Sequence, residues 1–191
     1  MAKTAVSLMS ADQFLVWCLD QEDKWELVEG LPVKMMTGVS RRHDRIVVNI
    51  IAALHNQLRD SRCQPMTADV AVKTRIRGVR RSDVMVACDD PRADEYDATE
   101  PRLVVEVLSP TNKGIAWVRK LDEYRRLAPL TYILPIESDM IGATLYTRAG
   151  TDWEPFDAET LQAVLELPEI GCRLTMAEIY GGLEYPAAGV S

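Results

Sequence analysis

Leu103-Val104-Val105-Glu106-Val107-Leu108 sets a single acid inside a run of aliphatic residues. β-Branched side chains fit a pleated strand, whose period of two places Val104, Glu106 and Leu108 on one face and Leu103, Val105 and Val107 on the other. Burying the Glu106 charge without a partner costs several kcal/mol, so it requires a cation, a hydrogen-bond donor or a proton. An ion-paired glutamate, a glutamate on an open sheet face and a metal ligand all meet that requirement. Asp83, 23 residues earlier, heads Asp83-Val84-Met85-Val86-Ala87-Cys88, a second strand that could lie beside the first. Alone it reads as a turn residue at a strand start. Two carboxylates converging on one spot, however, repel unless they share a divalent cation or a proton.

Downstream, a helix is expected over residues 115–127, followed by the buried strand Tyr132-Ile133-Leu134. Strand, helix and strand in succession make a crossover unit. Residues 143–147 and 153–156 flank the turn Ala149-Gly150-Thr151-Asp152, and Thr175 with Glu178 makes a capping box for a last short helix. Upstream, residues 69–76 read as a strand, and the acidic stretch 89–95 as a solvated loop. Ile46, Val47, Ile50, Ile51, Leu54 and Leu58 repeat at helical spacing after Ser40, which predicts a long capped core helix. Residues 25–28 and 32–36 flank Glu29-Gly30 as a hairpin, and Ser10 with Gln13 caps a helix over residues 11–20. With no internal repeat or linker, the pattern is one α/β domain.

The 191 residues are 47% hydrophobic and 27% charged, the balance of an ordinary soluble domain. Lys and Arg total 22 against 29 Asp and Glu, a formal charge of -7, so any nucleic-acid partner must meet a local basic patch. Candidate patches are Arg41, Arg42 and Arg45; Lys73, Arg75, Arg77, Arg80 and Arg81; and Arg125 with Arg126. The middle group leads into Asp83, where it could hold a phosphate backbone or merely keep a hairpin edge soluble. The longest apolar stretch, residues 46–54, falls far short of the ~20 residues of a membrane span. No signal-peptide core is present, and a cytoplasmic protein is expected. Cys18, Cys63, Cys88 and Cys172 show no zinc-site spacing and are expected as reduced thiols.

Trp25-Glu26-Leu27-Val28-Glu29-Gly30, Ser40 with His43 and Ile46, Ser82-Asp83-Val84-Met85-Val86, the Glu106 strand with Ser109-Pro110, and Lys120 with Tyr124 together resemble the Uma-two family of restriction endonucleases, in the PD-(D/E)XK nuclease superfamily. The resemblance covers residues 25–146. It implies a restriction-endonuclease-like mixed β-sheet flanked by helices, often dimeric, in which Asp83 and Glu106 bind magnesium, with manganese as a substitute. It further implies that Lys120 takes the place of the lysine usually found two residues after the acid, where this chain has Leu108. There Lys120 would orient or deprotonate the attacking water and stabilise phosphate charge. By itself it reads as an exposed helix lysine.

Glu26 and Glu29 are both candidates for the extra acid that many members of the superfamily carry, and Glu29 reads equally as a turn residue. His43 is a candidate contact for a ligand or phosphate. Tyr124, one helical turn beyond Lys120, could brace it or simply pack. Three departures from the family pattern stand out: Ser82 in place of a proline, Ala116 in place of an acid, and Tyr132-Ile133-Leu134-Pro135 without an Asp-Pro ending. None removes a candidate ligand.

The first expectation is therefore a magnesium-dependent endonuclease acting on DNA as a homodimer, with Asp83, Glu106, Lys120 and Glu29 catalytic and Glu26 and Tyr124 supporting. His43, Lys73, Arg75, Arg80 and Arg81 are expected at the nucleic acid. The alternative is a catalytically inactive dimeric DNA-binding or regulatory protein that retains the nuclease fold, and a third reading is a pure interaction module.

Overall fold

A computed structural model describes residues 8–35, 38–89, 96–110 and 113–185. The chain runs α1 (Ala11–Cys18), β1 (Trp25–Val28), β2 (Leu31–Lys34), α2 (Arg41–Leu58), β3 (Gln64–Thr67), β4 (Ala71–Arg75), β5 (Gly78–Arg80), β6 (Val84–Ala87), β7 (Asp97–Ala98) and β8 (Pro101–Leu108). It continues through α3 (Ile115–Arg125), β9 (Tyr132–Glu137), β10 (Ala143–Ala149), β11 (Asp152–Ala158), β12 (Val164–Leu167), β13 (Cys172–Thr175) and α4 (Met176–Ile179). Of the acidic loop expected over 89–95, only Asp89 lies within the described residues; it accepts hydrogen bonds from Thr99 and from the Glu100 backbone.

The central sheet has the order β11-β10-β9-β8-β6-β3. β8 and β9 pair in parallel, with Leu103 opposite Tyr132 and Leu108 opposite Glu137, and α3 supplies the crossover between them. A second sheet, β2-β1-β5-β4-β7, gathers the N-terminal hairpin and the basic strands.

The period-two reading of β8 holds in three dimensions. Leu103, Val105 and Val107 pack against Ile46, Ile50, Leu54 and Leu58 of α2, while Val104 faces Met85, Tyr124 and Ile133 on the opposite side. α2 is thus the main core helix; Ser40 caps it by accepting the His43 N–H at 3.2 Å. α1 lids the second sheet through Phe14 and Leu15 against Leu27, Ala71 and Val79. Both expected capping boxes form, at Ser10/Gln13 and at Thr175/Glu178.

The β1–β2 turn has Glu29 at φ 52° and Gly30 at φ 86°, the left-handed pair that joins twisted strands in a two-residue hairpin. A side chain at Gly30 would also meet Leu8 Cβ at 2.9 Å, so strain and space both select glycine there.

The expectation of four reduced thiols is overturned at two of them: Cys63 and Cys88 form a disulfide, while Cys18 and Cys172 are free. The cause is strand register. β3 pairs antiparallel with β6, Gln64 opposite Ala87, and one further step brings Cys63 opposite Cys88 with Cα atoms 3.9 Å apart. No helix among the described residues is long and apolar enough to cross a membrane.

Candidate active site

Asp83 sits at the head of β6, where the β6–β8 register pairs Met85 with Val104 and Val84 with Val105. One further step sets Asp83 opposite Glu106, and facing residues of an antiparallel pair have Cβ atoms about 5 Å apart. Asp83 Oδ2 accepts the Val107 N–H at 2.7 Å, which fixes that carboxylate beside the β8 backbone. The crossover helix then delivers the amine. Lys120 Nζ lies 2.8 Å from Glu106 Oε1 and 3.0 Å from Oε2, and donates to the Arg81 carbonyl at 3.0 Å. One turn on, the Tyr124 hydroxyl donates to Glu106 Oε1 at 2.7 Å. The α3 lysine is therefore half-buried against the strand acid, and Tyr124, fully buried, both packs and braces.

Of the two candidate acids of the N-terminal hairpin, Glu26 enters the site and Glu29 stands exposed on the turn. Glu26 Oε1 is 3.0 Å from Lys120 Nζ and accepts the Arg81 N–H at 3.0 Å. His43, on the first turn of α2, directs Nε2 to Asp83 Oδ2 at 3.3 Å, and its Nδ1 has no partner among the described residues. Glu26, Ser40, His43, Asp83, Glu106 and Lys120 all line one cleft of about 480 Å³.

Of the residues expected at the nucleic acid, Arg80 and Arg81 are buried, while Lys73 and Arg75 are exposed in surface ion pairs. Arg80 is buried, with Nη1 2.9 Å from Glu26 and Nε and Nη2 2.9 and 2.8 Å from the two oxygens of Glu123. Arg81 turns inward to the carbonyls of Trp25, Ala68 and Asp69. Lys73 pairs with Asp12 and Asp97, and Arg75 with Asp122. Arg41 and Arg45, on the α2 turn that carries His43, are exposed and have no ion-pair partner among the described residues. Glu123, absent from the sequence reading, completes the cluster; its only signal was its position three residues after Lys120, in a helix whose charges read as surface.

Electrostatics follow from burial. Burial pushes the Glu106 carboxyl up to about 7, against the opposing pull of Lys120 and with added repulsion from Asp83. Burial also depresses Lys120, but Glu106 and Glu26 outweigh it and hold the ammonium well above the usual lysine range. Glu26 falls below its usual value because Lys120 and Arg80 overcome its burial. Burial lowers His43, and the Asp83 hydrogen bond more than restores it, so the imidazole is raised.

Three carboxylates, Glu26, Glu106 and Glu123, thus pair with two cations, Lys120 and Arg80, while the fourth, Asp83, faces His43. Burial and the neighbouring carboxylates raise Glu106, and the Asp83 hydrogen bond raises His43, so both shifts run toward the protonated form. This donor set fits magnesium. Its oxygens are hard carboxylates, and magnesium takes one or two of them while keeping waters and binding substrate phosphate.

A Synechocystis protein, "Uncharacterized protein slr1290", is 28% identical over 181 residues, covering 93% of this chain and 94% of its own. A second, "Uncharacterized protein sll1609", is 23% identical over 154 residues, 78% of this chain and 86% of its own. Among solved structures, a "putative nuclease belonging to DUF820" from Anabaena variabilis superposes with a TM-score of 0.69 at 16% identity, covering 90% of this chain and 97% of that one, which shows a shared fold. The family model described as "Uma2: Putative restriction endonuclease" matches residues 11–177, and this chain belongs to that family.

Proposed function

We propose that the protein is a magnesium-dependent endonuclease that hydrolyses phosphodiester bonds of DNA. The observation that carries this reading is the convergence of Asp83, Glu106 and Lys120 on one cleft, in a cluster where carboxylates exceed the cations directed at them. Family membership supports it from a separate direction. Asp83 and Glu106 would hold the ion, with manganese as a substitute. Bound there, magnesium supplies Lewis-acid polarisation of the phosphoryl oxygens and lowers the pKa of a coordinated water.

The remaining work falls to the chain. Lys120 stays protonated, so it acts as a fixed cation that neutralises phosphate charge and orients water through its N–H groups, and does not serve as the base. Glu26 and Tyr124 hold Lys120 and Glu106 in register. His43 orients Asp83. Arg41 and Arg45 are the exposed cations on the helix turn beside the cleft that are open to a phosphate backbone. On the family likeness the working unit is a homodimer, which light scattering of the purified chain tests directly.

The decisive experiment is incubation of supercoiled plasmid with wild type, Asp83→Asn and Glu106→Gln, each with magnesium, manganese or EDTA. Nicking or linearisation by wild type alone, and only with metal, is the expected result. Retained DNA binding with no cleavage under any metal would replace this reading with a second one, a non-catalytic DNA-binding or regulatory protein. One observation favours that alternative: both Glu106 oxygens and Asp83 Oδ2 already have internal partners.

A further inference from the structure

Arg80, at the wall of the cleft, joins Glu123 and Thr74 in an arrangement that the proposed chemistry leaves unused. Arg80 grips Glu123 with two parallel hydrogen bonds and sends its remaining Nη1 to Glu26 Oε2. Thr74 of β4 donates to Glu123 Oε2 at 2.8 Å. The Arg80 side chain is 6% exposed and that of Glu123 11%. A buried ion pair of this kind is weak as a source of stability, because desolvation offsets its Coulomb attraction and apolar residues of similar volume often do as well. Its planar, two-pronged geometry is what an apolar pair would not reproduce.

That geometry joins three elements. Glu123 is on α3 three residues from Lys120, Arg80 is on β5, and Glu26 is on β1. We infer that the Arg80–Glu123 pair is a positioning device for the cleft: it locks α3 to the second sheet and occupies Glu26 Oε2, so that Glu26 Oε1 and both oxygens of Glu106 together fix the Lys120 ammonium. Without Arg80, the whole Glu26 carboxylate would compete with Glu106 for the single lysine. With it, one oxygen of Glu26 is neutralised, and the lysine stays on Glu106 at 2.8 and 3.0 Å. Arg80, with its hydrogen bonds committed to Glu26 and Glu123, therefore acts through Glu26 and Lys120.

The inference rests on the nuclease reading for its catalytic readout only; a second readout is independent of activity. Glu123→Gln keeps the side-chain shape while removing the charge, and Arg80→Lys keeps the charge while removing the fork, which covers the case in which one variant fails to fold. Supporting groups around an active site typically change activity or metal affinity by roughly 10–100-fold when altered, and a kcat loss of that order is expected here. The dissociation constant for a DNA duplex and its salt slope should stay at wild-type values. In the background of Lys120→Met, adding Glu123→Gln should lower the rate no further, because the two act as a unit. Independently of cleavage, the side-chain ammonium resonance of Lys120 in a ¹⁵N-labelled sample should be protected in wild type and lost by exchange in Glu123→Gln, with the backbone amide spectrum otherwise preserved. Retention of that resonance in both variants would overturn the inference, as would multiplicative rate losses in the double variant or a reduced salt slope for Arg80→Lys. Wild type that cuts no DNA but loses the Lys120 signal on substitution would refute the nuclease reading and leave the positioning role standing.

Discussion

Glu106 concentrates the chemistry of the protein in one side chain. Its carboxyl is pushed up to about 7 by burial, from an ordinary value of 4.5. The folded state thus binds this proton more tightly than the unfolded chain does, so the stability Glu106 contributes is fully present below about 4.5 and is lost as pH rises through 7. Glu26 runs the other way: its lowered value makes its contribution present above the ordinary carboxylate range and lost on acidification. Denaturant melts of the metal-free protein between pH 5 and 8 should show a decline toward alkaline pH that Glu106→Gln abolishes; an unchanged slope in the variant would remove Glu106 as its source. Metal binding requires the ionised form, so magnesium or manganese affinity measured by calorimetry should climb between pH 6 and 8 and level off above it.

The Glu106→Gln exchange also separates two roles. It keeps the shape and one acceptor oxygen, so a metal ligand would lose the magnesium-dependent rise in melting temperature while the apo fold survives. A metal-independent loss of about 3 kcal/mol or more would instead mark a structural ion pair with Lys120.

Among the elements, α3 is the one whose placement decides the site, because Lys120, Glu123 and Tyr124 all ride on it. Its C-terminal end is held from outside. Arg148 of β10 donates to the carbonyls of Leu130, Arg125 and Leu127, at 2.6, 3.2 and 2.6 Å, and stacks over Trp153 with its guanidinium 4.4 Å from the ring. The Arg125 carbonyl is one of those a helix end leaves unsatisfied, and the other two belong to the loop that carries the chain from α3 to β9. Arg148→Met should therefore lower stability by about 2 kcal/mol, on the scale of hydrogen bonds from a charged donor. Hydrogen exchange should then quicken across Ile115–Arg125 more than across β8; equal protection of the two in the variant would show that the β10–β11 hairpin does not anchor the helix.

At the scale of the whole molecule, the Cys63–Cys88 bridge ties the edge strand β3 to β6, and β6 leads back to Asp83. Closing a loop of 25 residues restricts the unfolded chain, which on the loop-entropy account is worth about 3 kcal/mol. Treatment with a dithiol should lower the chemical midpoint accordingly. Cys63→Ser should match the reduced protein and be insensitive to reductant, and a wild type that shows no such sensitivity would exclude the bridge.

What the sequence determined by itself was local. The alternation in Leu103–Leu108 put Glu106 and Val104 on one face, the 3.6-residue spacing of Ile46, Ile50 and Leu54 marked α2, and Ser40, Ser10 and Thr175 marked helix starts. These signals are legible because strand pleat, helix period and capping are decided within a few residues. β3 and β5 escaped the same reading: Gln64-Pro65-Met66-Thr67 carries a proline tolerated only on an edge, and Gly78-Val79-Arg80 is too short to show a period. Resemblance to a family named Asp83, Glu106 and Lys120 together, but Lys120 alone looked like a surface residue. Only the tertiary structure chose Glu26 over Glu29, turned Arg80 and Arg81 inward, and paired Cys63 with Cys88. Arg80 meets Glu26 across 54 residues of chain and Glu123 across 43. Such partnerships depend on which strands become neighbours and in what register, and a charge in a sequence carries no mark of the opposite charge that long-range packing will bring to it.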